Sequence, residues 1–481
     1  MRIAVGMQKA PISESGFFNL RLPVSLALCS AGVFLAVLSL AATAGNWTIV
    51  PSANTGVGQE NDLNGVTCVS TSDCWAAGTY YTGSTYQTLI QHWDGTTWTV
   101  FNSANGSATQ FNVLYDVTCT SASNCWVVGY QNNQFGGQTL IEHWDGTSWT
   151  VTSSPDTDPS KPNYLNAVIC TSTSDCWAVG YYFVNLVFVG PGLIGTPLYQ
   201  TLIEHWDGTS WVIVASPNTN ATQSNILSSV TCNSESDCWA VGRYAAGGNG
   251  IFPTLDQTLV EHWDGNSWGI VSSPSTSAVE DNYLTSVTCA SSADCWAVGY
   301  HYINTVEGPI YQTLIEHWDG TAWAIFTSPN TSPVQQNVLF SVSCASVSEC
   351  WAVGFYLAGD ASVVNAFFQT LIERWDGSSW TIANSPNTSV TQNNVLYGVS
   401  CASPYDCLSV GHYIAGSVPQ TLAERFTAPL PPPVQLNSVR LYESPRQRRD
   451  IRRQLAACWQ PRHRMPGWRR QRRLHARVYL R

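Results

Sequence analysis

Five histidines, His92, His143, His205, His262 and His317, recur at one position of a repeated block, and Arg374 and Arg425 hold that position in two further copies. Fourteen cysteines fall in seven pairs with five residues between partners: Cys68/Cys74, Cys119/Cys125, Cys170/Cys176, Cys232/Cys238, Cys289/Cys295, Cys344/Cys350 and Cys401/Cys407. Asp256, Glu280, Asp281, Glu307 and Asp360 lie between the repeated blocks. Such residues build metal centres, thiol sites and acid/base pairs, but each of these needs convergence. The cysteines show no close Cys-x-x-Cys and no histidine pair at ligand spacing, so no metal and no cofactor are expected. Histidines at one repeat position are spread around a symmetric structure, which makes them structural hydrogen-bonders. Arg243, Arg374 and Arg425 match a sialidase-like carboxylate clamp in number only, because two of them are repeat substitutions. The loop carboxylates leave a glycan-cleaving pair open, since the separation that defines such a pair is not written in the sequence.

The elements that position these residues come from a unit found seven times: an apolar strand ending in Cys, five residues, Cys-Trp-Ala-Val-Gly, a variable stretch, then QTLIEHWDGTSW and a strand running into SPNT. In the second copy the strands are LYDVTC (114–119), CWVVGY (125–130), TLIEHW (139–144) and TSWTVT (147–152), each short and bounded by turn residues. Asp145-Gly146 predicts a two-residue hairpin with positive φ at both residues. Each cysteine pair flanks the turn between strands one and two and predicts a disulfide across that hairpin, contributing roughly 2 kcal/mol in the loop-entropy model.

The two ends complement one another. NWTIVPSAN (46–54) matches a fourth strand with no first three before it, while the last copy stops at Thr427 after three strands. A ring closed by its own ends leaves no open sheet edge, whereas a solenoid needs capping repeats. The fold expected is all-β: a seven-bladed β-propeller of four-stranded blades over 45–427, with the N-terminal strand completing the last blade. The C-x5-CWAVG…IEHWDGTSW unit over 46–427 resembles bacterial secreted propellers of the kelch and Asp-box type, an uncharacterised family. It departs from the Asp-box pattern because Asp145 and Gly146 are adjacent, so sialidase-like activity does not follow from the resemblance.

Outside the repeat, residues 1–44 read as a signal peptide or signal anchor. The apolar stretch 23–44 ends in Ala42-Thr43-Ala44, a cleavage pattern, yet is long enough to anchor the chain in a membrane. A lipoprotein site at Cys29 fits less well, because bulky Leu28 precedes it. Either main reading makes the protein secreted or cell-surface, in keeping with its cysteines. Residues 428–436 form a Pro-rich linker, and 437–481 an Arg-rich, disordered tail, read either as an anion-binding segment or as the product of a shifted reading frame. Between 45 and 433 only Lys161, Arg243, Arg374 and Arg425 stand against twenty-nine acidic residues, which excludes nucleic acid as a partner.

In a propeller the Cys turns and Asp-Gly turns share one face, and the variable stretches share the other. Function is expected on the variable face, rich in Tyr, Asn, Gln, Ser and Gly. Two positions after each strand-two glycine stand Tyr80, Gln131, Tyr182, Tyr244, His301, Tyr356 and Tyr413, and the six aromatic members of this ring are the candidate ligand contacts. The expected function is that of a monomeric, non-catalytic binding or adhesion propeller recognising carbohydrate or protein. The alternatives are a secreted glycan-acting hydrolase or lyase and a structural surface protein.

Overall fold

The computed structural model describes residues 45–430 except 57, 134–135, 190–193, 247–254, 306–307 and 360–365. Residues 1–44, expected to be a signal peptide or anchor, the Arg-rich tail, most of the expected linker, Glu307 and Asp360 lie outside the described residues. The described chain forms twenty-eight strands and no helix, in seven four-stranded antiparallel sheets. Blade 1 comprises Asn61–Ser70, Asp73–Tyr81, Tyr86–Trp93 and Trp98–Phe101, and blades 2 to 6 repeat it. Blade 7 takes Asn394–Ser403, Asp406–Ala415 and Val418–Thr427 from the end of the repeat and Asn46–Ile49 from its beginning, with Trp47 opposite Phe426. The protein is thus a seven-bladed β-propeller closed by its N-terminal strand.

First strands of adjacent blades contact one another and line the axis. They are not paired into a common sheet, so their inner backbone groups need partners. Side chains at a bulge in each first strand supply several. Asn64 Nδ2 donates to the Leu114 carbonyl of the next blade and Asn166 Nδ2 to that of Leu227. Asp116 accepts from the amides of Val117 and Val168, and desolvation of its carboxyl pushes the pKa up to about 6.

Both faces of every blade are covered by neighbours, and the seams are filled by tryptophan. Trp75 of strand two, 2% exposed, reaches Trp144 and Trp149 of blade 2 at 5.0 and 5.3 Å between ring centroids. The same trio recurs at the next four seams. At the sixth, Trp351 meets Phe426 and Trp47, so the closing strand delivers the residue that completes the seam. At the seventh, Leu408 replaces the strand-two Trp and packs with Trp93 and Trp98.

All seven disulfides join Cys residues directly opposite on strands one and two, as expected: Cys68–Cys74, Cys119–Cys125, Cys170–Cys176, Cys232–Cys238, Cys289–Cys295, Cys344–Cys350 and Cys401–Cys407. The strands run on past them to Ser70 opposite Asp73, so the intervening turn shrinks to two residues. The sequence places each pair on either side of the turn without fixing its depth; in the structure Cys74, Cys125, Cys176, Cys238, Cys295, Cys350 and Cys407 are 0 or 1% exposed. Each belongs to the hydrophobic core of a seam. Two causes combine: the longer strands draw the cysteine inside the sheet, and both sheet faces are covered by neighbouring blades. These strand-two cysteines are therefore packing residues as well as cross-links, and they offer no surface to a ligand.

The Asp-Gly hairpin also differs from expectation. Trp93 pairs with Trp98, leaving four residues in the connection, and only Gly95 has positive φ, at 96°. The aspartate acts through its side chain: Asp94 Oδ1 accepts from the amides of Thr96 and Thr97, an Asx turn that substitutes for the tight backbone turn.

Strand three carries a second repeated seam contact. Glu142, Glu204, Glu261, Glu316, Glu373 and Glu424 are fully buried, and each takes a hydroxyl of the preceding blade's outgoing segment, such as Ser154 to Glu204 at 2.8 Å. Desolvation pushes five of them up to about 8. The remaining seam has the neutral isostere, Gln91, whose amide donates to the Ala53 carbonyl at 2.8 Å and accepts from its amide. A protonated Glu is equally neutral. Because these groups hold their protons more tightly folded than unfolded, stability is full below the unfolded value near 4.5 and falls as pH rises toward about 8. Thermal unfolding should therefore have a higher midpoint at about pH 5 than at about pH 9, and Glu204→Gln with Glu261→Gln should flatten that dependence. An unchanged slope in the double variant would remove these carboxyls from the account.

Candidate ligand-binding face

Register fixes which loops share a face. Cys68 lies opposite Cys74, Cys74 opposite Trp93 and Trp93 opposite Trp98, so the Cys turn and the Asp-Gly turn are at one end of the blade. Asn61, Tyr80 and Gln87 mark the other end, where the irregular hairpins and interblade segments emerge.

The repeated polar residues are committed to holding the blade. His92 Nε2 donates to Asp73 at 2.7 Å while its ring packs on Trp75, and His205, His262 and His317 pair with Asp175, Asp237 and Asp294 in the same way. In blade 2 the partner is Asn124, and burial lowers the His143 pKa. Arg374 pairs with Glu349, and Arg425 with Asp406. At the variable end, fully buried Asn61 donates from Nδ2 to the Gln59 carbonyl and accepts from both the amide and hydroxyl of Thr55. Gln87 donates to the carbonyls of Tyr86 and Gln110. A cleft at the closing seam, lined by Asn54, Gly56, Gly58, Ala415, Val418 and Gln420, is likewise spent, with Asn54 accepting from Thr421 and Gln420 donating to Gln59.

The expected aromatic ring lies at one height on the variable end, opposite the buried asparagines. Tyr80, Tyr182, Tyr244, Tyr356 and Tyr413 are partly buried there, packed into the hydrophobic seams. His301 is half-buried at the equivalent place, and desolvation lowers its pKa.

A different set departs from the repeat. One position after the strand-two glycine the residues are Thr79, Tyr130, Tyr181, Arg243, Tyr300, Phe355 and His412. Because alternate strand residues point to opposite sides, these face the following blade and meet residues of the first strands. Tyr115, Tyr130, Tyr164, Tyr181 and Tyr199 form a chain of rings 4.9 to 5.9 Å apart across blades 2 and 3. Tyr283, Tyr300, Tyr311 and Tyr302 form a second in blade 5, with the Tyr302 and Tyr311 hydroxyls 2.6 Å apart. Blade 4, between them, contributes Arg243, whose Nε is 3.1 Å from Asp256 and whose guanidinium lies 5.0 Å above the Tyr283 ring. Asp281 accepts from the Asp256 amide at 2.7 Å. Burial raises the Asp256 pKa against the pull of Arg243, with Asp281 adding to the rise, while desolvation and the two aspartates raise that of Tyr283. Of the five loop carboxylates singled out in the sequence, the structure brings Asp256 and Asp281 together. The clamp of three arginines does not form, since Arg374 and Arg425 serve their own blades.

The signal for this set was present in the sequence. The ring position two after the glycine is nearly uniform, as a packing position is, whereas the position one after it changes chemical type from blade to blade.

No family model matches the chain, and no curated protein does. Among solved structures it is similar to the polysaccharide lyase Uly1 (9% identity, TM-score 0.46, covering 76% of this chain and 89% of that one). It is similar too to Sqt1 of Chaetomium thermophilum (9%, 0.41, 77% and 95%) and to a protein of unknown function from Dyadobacter fermentans (11%, 0.40, 65% and 93%). Likenesses of this size carry no argument about activity.

Tyr244→Ala, emptying a seam, should lower unfolding free energy by about 2 kcal/mol, against about 1 kcal/mol or less for Tyr115→Ala, a residue 37% exposed. Denaturant unfolding measures both. Equal losses would contradict the division into seam and surface tyrosines.

Proposed function

We propose that this is an exported, non-catalytic binding propeller that recognises carbohydrate through its variable face. The observation that carries the reading is the contrast between the two kinds of polar residue. The repeated ones are consumed in holding the blades, whereas the two tyrosine chains and the Arg243 pair lie side by side at the variable end of blades 2 to 5, apart from the Phe355, Tyr397 and His412–Asp62 set of blades 6, 7 and 1. Tyrosine presents a flat apolar face with a polar tip, which suits the mixed surface of a sugar ring. Seven disulfides support an oxidising, extracellular setting. The resemblance to secreted bacterial kelch and Asp-box propellers belongs to the same proposal, supported by the four-stranded blade.

Asp256 and Asp281 also support binding over cleavage. One is paired with Arg243 and the other is anchored on a backbone amide, so the two do not stand as a free acid and base facing each other across a bond. The test is to incubate the full exported protein with an oligosaccharide array and analyse the eluted sugars by mass spectrometry. Retention of intact sugar is the expected result. Shortened or unsaturated products would replace this reading with a hydrolase or lyase, and no retention at all would leave the carbohydrate reading without support.

A further inference from the structure

The ion pair of blade 4 occupies two repeat positions that hold aromatic rings on either side of it. Arg243 stands where blades 3 and 5 have Tyr181 and Tyr300, and Asp256 stands where they have Tyr199 and Tyr311. In those blades the two positions pack ring against ring, at 5.2 and 5.4 Å. The blade architecture therefore accepts an aromatic pair there, and an Arg/Asp pair is not needed to fold it. Placing a half-buried ion pair in that spot carries a desolvation penalty that ring packing does not.

We propose, resting on the carbohydrate reading above, that the Arg243–Asp256 position of blade 4, between the two tyrosine stacks, is the glycan subsite, and that it takes an uncharged sugar presenting vicinal hydroxyls. The geometry assigns each part. The Tyr164 and Tyr181 rings on one side and Tyr283 and Tyr300 on the other are stacked pairs at 4.9 and 4.8 Å, rigid apolar walls with little freedom to lose when a sugar packs against their edges. Arg243 is held in plane by Asp256 below its Nε and by the Tyr283 face, which leaves its remaining N–H groups as directed donors to one hydroxyl. Asp281, anchored on the Asp256 amide, supplies a carboxylate acceptor for the neighbouring hydroxyl. A donor beside an acceptor matches a pair of adjacent hydroxyls, each of which both donates and accepts.

Charge decides the class. Arg243 is matched by Asp256, and Asp281 leaves the group with an excess of negative charge, within a propeller that is acidic throughout. A uronate or sulfated sugar would meet repulsion at close range, while a neutral hexose or pentose would not.

The test uses isothermal titration of the full exported protein with neutral cello-, manno-, xylo- and chito-oligosaccharides and with oligogalacturonate. At least one neutral oligosaccharide should bind, more tightly than oligogalacturonate. Arg243→Ala should weaken it at least tenfold. The double variant Arg243→Tyr with Asp256→Tyr, which installs the pair found in blades 3 and 5, should keep the unfolding midpoint while losing binding. If the wild type binds none of these sugars, the carbohydrate reading falls and this subsite with it. If the wild type binds a neutral sugar and the double variant binds it equally, the subsite assignment alone is wrong. Preference for oligogalacturonate would likewise overturn the assigned ligand class.

Discussion

The packing of one tryptophan against two from the next blade is the contact on which this propeller depends. A four-stranded sheet with both faces apolar has no stable existence alone, and the Trp trio is what makes the next blade its complement. The trio explains the route of the chain ends. Trp351 meets Phe426 from the last strand of the repeat and Trp47 from the first strand of the described chain, so the sixth seam is complete only when the ring is closed. Two seams relax the trio: Phe426 takes the place of the strand-three Trp at the sixth and Leu408 that of the strand-two Trp at the seventh, where Arg425 lies over Trp93 at 5.3 Å.

Closing the ring places polar groups where water cannot reach, and the repeat answers several of them with recurring partners, while the indole N–H groups of the strand-two and strand-four tryptophans stay unpaired. Serine hydroxyls meet the strand-three glutamates, buried asparagines cap the interblade turns, and bulge side chains satisfy the axial strands. Disulfides then pin the hairpin of strands one and two in every blade. The residues outside the rules of this scaffold lie at the variable end, the tyrosines and the Arg243 pair in blades 2 to 5 and a second set, Phe340, Phe355, Tyr397 and the His412–Asp62 pair, in blades 6, 7 and 1.

Much of this architecture was legible in the sequence because it is periodic. The cysteine pairs, the four strands, the blade count and the missing fourth strand at Thr427 all follow from comparing copies. Three features were not. The glutamate of IEHW looks like the polar half of an alternating strand, but in a propeller both sheet faces are interior, so alternation does not separate inside from outside. The strand-two cysteines, Cys125 and Cys176 among them, are buried for the same reason although their spacing looks like the rim of a turn. The Asp-Gly turn has the composition of a tight backbone turn, and only the side-chain bonds of Asp94 show otherwise. Arg243 and Asp256 meet through strand pairing on either side of a hairpin, with Ala245 opposite Asp256. The tyrosines singled out by uniformity, Tyr80, Tyr182, Tyr244, Tyr356 and Tyr413, sit in the seams because uniformity marks packing, whereas irregularity marks the sector that the scaffold does not require.

The division between scaffold and site is tested most directly by backbone hydrogen exchange, measured with and without a bound oligosaccharide. The account predicts that added protection falls on the variable end of blades 3 to 5, around residues 181–183, 243–246, 281–285 and 300–311. Protection centred on the Cys turns or on the Asp-Gly turns would contradict it, because the opposite face would then be the one that binds.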